Sequence, residues 1–360
     1  MWPFSRNDQP PQQAEPEATP PRPRALASAV DVIQALPDPA LMVDEQGRVL
    51  HANAQARDVL EMDPQGLHLS ASIRNPAVLE AVVAAAGGEE PVNVDYELRV
   101  PMPRSFRAHV SPLGAGRGAL LVLRDLTREQ QIERMRADFV ANASHELRTP
   151  LTALTGFLET ILGAARNDEK AQAKFLGLMR SQAERMRRLI DDLLSLSRIE
   201  MNEHVRPQGE VDLAQVAAHV RDVLSGTALD FGCEVTLASD GPLLVTGSRD
   251  ELVQVVQNLT ENALKYGSSG KLVEIVLRHI DGFAELIVRD HGPGIASEHI
   301  PRLTERFYRV NVQESRSRGG TGLGLAIVKH IVSRHRGRLS ISSELGKGSE
   351  FSVRIPLKLC

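Results

Sequence analysis

Residues 319–330 read GGTGLGLAIVKH, four glycines within six residues followed at once by an apolar helical pattern. Glycine inside a helix costs about 1 kcal/mol relative to alanine. Gly319, Gly320, Gly322 and Gly324, at the start of a helix predicted over 321–336, therefore serve something other than helix stability. Backbone N–H groups left open at a helix start, with the positive end of the helix dipole, form a cradle for phosphate. A simple loop does not call for four glycines at that place.

Working outward, the chain from about residue 211 alternates in type. An amphipathic helix (VDLAQVAAHVRDVL) precedes β-like CEVTLA and LLVTG, then a helix over 248–266, strands KLVEIVLRHI and AELIVRD, the glycine turn and its helix, and a final pair of strands ending FSVRIPL. This pattern predicts an α/β sandwich over 211–358, with helices on one face of a mixed sheet. On the helix 248–266, Asn258, Asn262 and Lys265 fall at i, i+4 and i+7 and share one face. An amide oxygen there can bind a hard cation and a lysine can meet phosphate, although polar residues at helical spacing commonly mark a solvated face. The stretch RDHGPGI ends a strand in Asp290, and Gly292 and Gly294 supply a turn that a side chain would obstruct. The Asp290 carboxylate can accept from an exocyclic amine such as that of adenine; an ordinary strand-exit turn accounts for the same residues.

Upstream, Leu147, Leu151, Leu154, Leu158 and Ile161 are spaced 4, 3, 4, 3, and after a polar loop near GAARNDE the series Phe175, Met179, Gln182, Met186, Leu189, Leu193, Leu196 repeats that spacing. Two seams of this kind predict an antiparallel helical hairpin. One hairpin cannot cover both seams, so two copies pairing into a four-helix bundle, and hence a homodimer, is the expectation. The first helix carries ASHELRTPLT (143–152), which places His145 on the flank of the seam and a helix-weakening Pro150 five residues on. Residues 126–138 (LTREQQIERMRAD) read as a helix leading into it.

Residues 31–125 alternate short apolar runs with turn signals, PALMVD and RVLHANA first, then a helical patch, then DYELRV and GALLVLRDL, a small mixed α/β module. Before it, seven prolines within 24 residues predict a disordered tail over 1–30. The 360 residues carry 42 Lys plus Arg against 46 Asp plus Glu, a net charge of −4 without long runs of one sign, so nucleic acid is not an expected partner. Cys233 and Cys360 are the only cysteines, too few for a disulfide framework or a soft-metal cluster, and they point to a reducing compartment, the cytoplasm. The apolar run AVLEAVVAAA (77–86) is about half the ~20 residues a membrane-spanning helix needs, and no transmembrane segment is expected.

In this order, NLTENALKY, DHGPGI, ERFYR and GGTGLGLAIVKH resemble the N, G1, F and G2 boxes of the histidine kinase ATP-binding domain, of the Bergerat (GHKL) fold, and SHELRTPL resembles the H box of the dimerisation and phosphotransfer hairpin. The resemblance covers 126–358. Residues 31–125 look like a PAS sensor domain, and EHIPRLTERFYRV with GGTGLGLAIVKHIV is similar to the phosphate-regulon sensor kinases. The resemblance implies a multidomain α+β chain: a PAS-like sensor over 31–125, a dimeric four-helix-bundle hairpin over 126–204 and an α/β-sandwich ATP-binding domain over 211–358. It implies that His145 accepts a phosphoryl group from ATP and passes it to an aspartate of a response regulator, in phosphate-starvation signalling. Glu146 then orients the imidazole and shares its proton, and Thr149 positions water when such enzymes act as phosphatases. Asn262 ligates Mg²⁺ with Asn258 beside it, Lys265 and Tyr266 line the phosphate and nucleotide path, Asp290 reads adenine, and Gly292 and Gly294 belong to the same ATP-binding set. Gly319, Gly320, Thr321, Gly322, Leu323 and Gly324 form the hinge of the ATP lid, and Arg309 meets the γ-phosphate.

The chemistry of the residues agrees. Phosphoryl transfer needs an in-line nucleophile, a cation on the phosphate oxygens and little covalent work; a neutral imidazole is nucleophilic near neutral pH, and an adjacent carboxylate favours the cation that develops. The departure from phosphate-regulon sensors is the lack of hydrophobic anchor segments before the PAS-like module. Either an anchor has been lost, with partners such as a phosphate transporter complex holding the kinase at the inner face of the plasma membrane, or the start of the chain is missing. His51, His68 and His109 lack the context of haem ligands, so the module is expected to read a protein partner. Competing readings are an ATP-binding scaffold or phosphatase with little kinase output, a PAS kinase for another signal, and an ATP-gated clamp, which leaves SHELRTP unexplained.

Overall fold

A computed structural model of the chain describes residues 28–98, 103–114, 116–202, 205–311 and 319–358. The tail expected over 1–30 lies, up to residue 27, outside the described residues. The chain divides into two compact units, 1–136 and 137–360.

In the first unit β1 (Ala40–Val43), β2 (Val49–Ala52), β3 (Val92–Leu98), β4 (Arg104–Pro112) and β5 (Ala119–Asp125) form an antiparallel sheet of order β2-β1-β5-β4-β3, accompanied by α1 (Ala29–Ala35), α2 (Ala54–Leu60) and α3 (Pro76–Ala86). The Asn75 side chain caps α3 on Val78 N, with Pro76 at the first helical position. Val78, Ala81, Val82 and Ala85, at i, i+3, i+4 and i+7, turn inward to a core that includes Leu41, Phe106, Leu121 and Leu123. Asn53 is wholly buried yet satisfied: Oδ1 accepts from Ala40 N (3.0 Å) and Ala56 N (2.9 Å), and Nδ2 donates to Asp38 O (2.8 Å). Sequence reading placed four strands here and missed β4. Its apolar alternation, Phe106, Ala108, Val110, is masked by outward polar residues that pair across the sheet, Arg107 with Asp95 (2.7 Å) and His109 with Asn93 (2.9 Å).

In the second unit α4 (Thr127–Leu162, which starts in the first) and α5 (Glu169–Met201) form the hairpin. Pro150 lies inside α4 and is buried; lacking an N–H, it leaves the Glu146 carbonyl without its helical donor. Around it, the hydroxyls of Ser144, Thr149, Thr152 and Thr155 all donate to carbonyls four residues back, a habit that bends helices. The two seams behave differently. That of α5 is buried or half-buried throughout, whereas in α4 only Leu147, Leu154 and Ile161 are partly covered and Leu151 and Leu158 face solvent.

The remainder is a mixed sheet of β7 (Glu234–Ser239), β9 (Leu272–Ile280), β10 (Phe283–Asp290), β11 (Arg338–Glu344) and β12 (Gly348–Pro356), ordered β11-β12-β10-β9-β7. Only the β7–β9 pair is parallel. A short ladder of β6 (Glu210–Asp212) and β8 (Leu244–Thr246) stands beside it. Packed with this sheet in one core are α6 (Leu213–Asp230), α7 (Arg249–Gly267) and α8 (Gly324–Arg334), together with Leu189, Leu196 and Ile199 of α5. On β10, Glu285 is nearly fully buried and takes Arg278 (2.6 Å) and Arg354 (2.7 Å) from the flanking strands. Burial opposes its charge, but the bonds from Arg354, Arg278 and Ser352 hold the carboxyl below the usual range. Among the described residues no helix is long and apolar enough to cross a membrane.

Candidate functional site

Helix α7 sorts its residues by face. Leu252, Val255, Val256, Leu259, Ala263 and Leu264 are buried, and Asn258, Asn262, Lys265 and Tyr266 line a cavity of about 400 Å³, within the range of small-molecule sites. Acidic Asp250 and Glu251 in the first turn and Lys265 in the last complement the helix dipole. Glu261, also on the cavity wall, accepts from Lys265 Nζ (2.7 Å) and Gln257 Nε2 (2.8 Å). Burial works against its charge, and Lys265 and Gln257 outweigh it, so the carboxyl sits below its ordinary value.

Asp290, the last residue of β10, is buried at the cavity floor and accepts from Gly292 N at 2.9 Å. Burial pushes its pKa up, partly offset by the Gly292 and Ser349 hydrogen bonds. A side chain at Gly267 would strike the Asp290 carboxyl, and one at Gly294 the Glu344 carbonyl, so both glycines are sterically required. Gly292 and Leu323 do not line the cavity; Leu323 is core.

The glycine turn borders the same cavity through Gly319, Gly320, Thr321, Gly322 and Gly324. The helix expected over 321–336 begins at Gly324 and ends at Arg334. Gly319 and Gly322, at φ 70° and 77°, adopt left-handed conformations that cannot continue a helix. Phe307 also has a positive φ (63°), and its N–H donates to Gly322 O at 2.8 Å, so the chain before the turn is fixed to the turn itself.

What sequence reading missed lies on α5. Arg185, Arg188, Asp192 and Ser195, spaced 3, 4, 3, run one residue ahead of the seam Met186, Leu189, Leu193, Leu196; the last three face the α/β layer and Arg185 faces Glu146 on α4. Arg185 Nη2 meets Glu146 Oε2 (3.0 Å), Asp192 Oδ2 accepts from Thr321 Oγ1 (2.7 Å) and Ser195 Oγ donates to Gln254 Oε1 (3.0 Å). Arg188 and Asp192 line the cavity. The regular spacing was the available signal, overlooked because polar residues beside a leucine seam usually face water.

His145 is exposed on α4, outside the cavity, and no hydrogen bond or ion pair joins its ring to a described residue. Its carbonyl accepts from Thr149 Oγ1 at 3.1 Å. Glu146 is turned to the arginines instead: besides Arg185, Arg309 places Nη2 3.1 Å from Oε2 and Nη1 3.3 Å from Oε1. Arg309 lines the cavity and donates to Thr321 O at 2.7 Å. One guanidinium thus touches the glycine turn, the cavity and the residue next to His145.

Two polar atoms at this cavity, Asn258 Nδ2 and Arg309 Nε, are buried with no partner. Buried donors of this kind ask for a ligand with acceptors, which polyphosphate supplies. No cluster of three His, Cys, Asp or Glu able to hold a metal occurs among the described residues, so a divalent cation here would depend on amide oxygens and on the phosphates themselves, donors that suit Mg²⁺.

Comparison with known proteins agrees with this geometry. Residues 247–359 match the profile of the histidine kinase-, DNA gyrase B-, and HSP90-like ATPases, 135–202 the His Kinase A (phospho-acceptor) domain, and 33–131 the PAS fold. These define an ATP-binding protein-histidine kinase of two-component type. The phosphate regulon sensor protein PhoR of Pseudomonas aeruginosa is 37% identical over 336 residues, covering 91% of this chain and 74% of the relative. The chain belongs to its family, the PAS-containing sensor histidine kinases of the phosphate-regulon type. The sensor protein kinase WalK of Staphylococcus epidermidis is 31% identical over 337 residues, 91% of this chain and 55% of that protein. Among solved structures, the Acinetobacter baumannii histidine kinase AdeS aligns with a TM-score of 0.48 at 28% identity, over 60% of this chain and 98% of the other.

Proposed function

We propose that the chain autophosphorylates on His145 from ATP, passes the phosphoryl group to an aspartate of a response regulator, and acts in phosphate-starvation signalling, with phosphatase activity toward the same regulator. The observation that carries this reading is the Arg309 guanidinium, which lines the nucleotide cavity and grips the glutamate adjacent to His145. In the transfer a ring nitrogen of His145 attacks the γ-phosphorus, the bond to the β–γ bridging oxygen breaks with its electron pair on ADP, and Glu146 shares the proton of the other ring nitrogen. Asp290 binds the adenine amine, Lys265 and Tyr266 flank the phosphates, and Thr149 orients water in the phosphatase reaction. Asn262, with Asn258 beside it, holds Mg²⁺, which neutralises phosphate charge when bound.

The active species is a homodimer. Leu151, Leu158 and Leu162 of α4 and Leu176, Ile190 and Leu194 of α5 are exposed, more apolar surface on one hairpin than a lone bundle leaves in water.

Incubation with γ-labelled ATP gives acid-labile label on the wild type and none on His145→Ala, which still binds nucleotide. Label persisting in the variant would refute the assignment. Transfer to a regulator unrelated to phosphate starvation, in a profile of all regulators of the source cell, would overturn the signalling part alone.

A further inference from the structure

Among the described residues the Glu146 carboxylate takes two guanidinium groups, from different places. Arg185 comes from α5, across the hairpin; Arg309 comes from the wall of the nucleotide cavity. The three side chains are 12%, 13% and 5% exposed for Glu146, Arg185 and Arg309. At such burial an ion pair is well shielded from salt, and loss of one partner is expensive for the other.

Arg309 is over-committed. Its fork covers both oxygens of Glu146, Nη2 donates in addition to Thr321 O, and Nε is buried without an acceptor. A guanidinium is a rigid plane whose donors match one carboxylate or phosphate face at a time, so it cannot grip Glu146 with both Nη atoms and meet a terminal phosphate in the same manner. Arg185 has no such conflict, because it does not line the cavity.

We propose that Arg309 exchanges partners, leaving Glu146 for the terminal phosphate of ATP, and that Arg185 is the positioning residue that keeps hold of Glu146 beside His145 once Arg309 has gone. The inference rests on the kinase reading and deepens it. The contact between cavity wall and hairpin is then broken by the triphosphate itself. ADP, which lacks the third phosphate, leaves the Glu146–Arg309 pair in place.

The exchange is tested by titrating the full chain with a non-hydrolysable ATP analogue and with ADP, both with Mg²⁺. Glu146→Gln removes the competing charge, so the analogue binds about tenfold more tightly while the ADP affinity stays as in the wild type. Equal changes for both nucleotides, or none, overturn the exchange. The role of Arg185 is tested by single-turnover autophosphorylation. Arg185→Gln lowers the rate at saturating ATP about tenfold without changing KM for ATP, and Arg185→Lys recovers part of it; a rise in KM at unchanged rate, or a rate equal to wild type, overturns the assignment. A wild-type chain that forms no phosphohistidine would sink the kinase reading, and the two titrations would still decide the exchange.

Discussion

Thr321 Oγ1 donates to Asp192 Oδ2 at 2.7 Å, and this bond ties the glycine turn before α8 to the second helix of the hairpin. Burial raises the pKa of Asp192, and the hydrogen bond from the Thr321 hydroxyl is what chiefly opposes that rise. Thr321→Val leaves the buried oxygen short of its donor, at a cost of about 1–3 kcal/mol, and loosens the turn. A fluorescent ADP should dissociate about tenfold faster in stopped flow. Asp192→Asn keeps an acceptor and should behave as wild type; an unchanged rate in Thr321→Val would show that the turn is held by other contacts.

Asp290 is expected to make nucleotide affinity sensitive to mild acid. Its folded pKa lies above the usual aspartate value because of burial, so protonation removes the charged acceptor at a higher pH than for a surface aspartate. Affinity for an ATP analogue should be flat near neutrality and weaken by about tenfold per pH unit below that pKa, the slope of a single linked proton. Asp290→Asn should bind weakly and without this dependence; an identical pH curve would place the titration elsewhere. Stability moves the other way. A raised folded pKa gives a contribution fully present below the unfolded value and lost as pH rises through the folded one. Nucleotide-free Asp290→Asn should therefore melt no lower than wild type at neutral pH.

Leu158 is exposed on α4 between half-buried seam neighbours. Leu158→Glu should give a monomer by light scattering while nucleotide affinity is retained, because the residue does not line the cavity. A dimer that persists would move the interface to another face.

Pro150 withholds a hydrogen bond from the carbonyl of Glu146, the residue whose side chain the two arginines share. Pro150→Ala restores the bond and stiffens the helix beside His145. The ratio of autokinase to phosphatase activity should shift, with ATP affinity unchanged; an unaltered ratio would remove the proline from signalling.

The parts of this protein that repeat or recur along the chain are legible in the sequence. The polar face of α7 follows from 3.6-residue spacing, the hairpin from two 4, 3 series, and the glycine turn from a residue type with one main use. What stayed hidden was pairing across distance. Thr321 and Asp192 are 129 positions apart, and Arg309 and Glu146 163; nothing local in either member announces the other. Glu146, adjacent to His145 in sequence, points to the imidazole as its partner; its hold by Arg185 and Arg309, from 39 and 163 positions away, is announced by nothing local. The start of α8 was misjudged by three residues because backbone sign at Gly322 is invisible in a helical apolar pattern.

Leu189, Leu196 and Ile199 belong to the hairpin by sequence and to the α/β layer by packing, Leu196 with no exposed surface at all. Any movement that lifts the layer from α5 wets these side chains, each worth about 1.5–3 kcal/mol of burial. The arrangement described here therefore carries its own adhesive between hairpin and α/β layer. Whatever makes the leucines of α5 a poorer place to stay loosens the layer from the hairpin without touching the cavity.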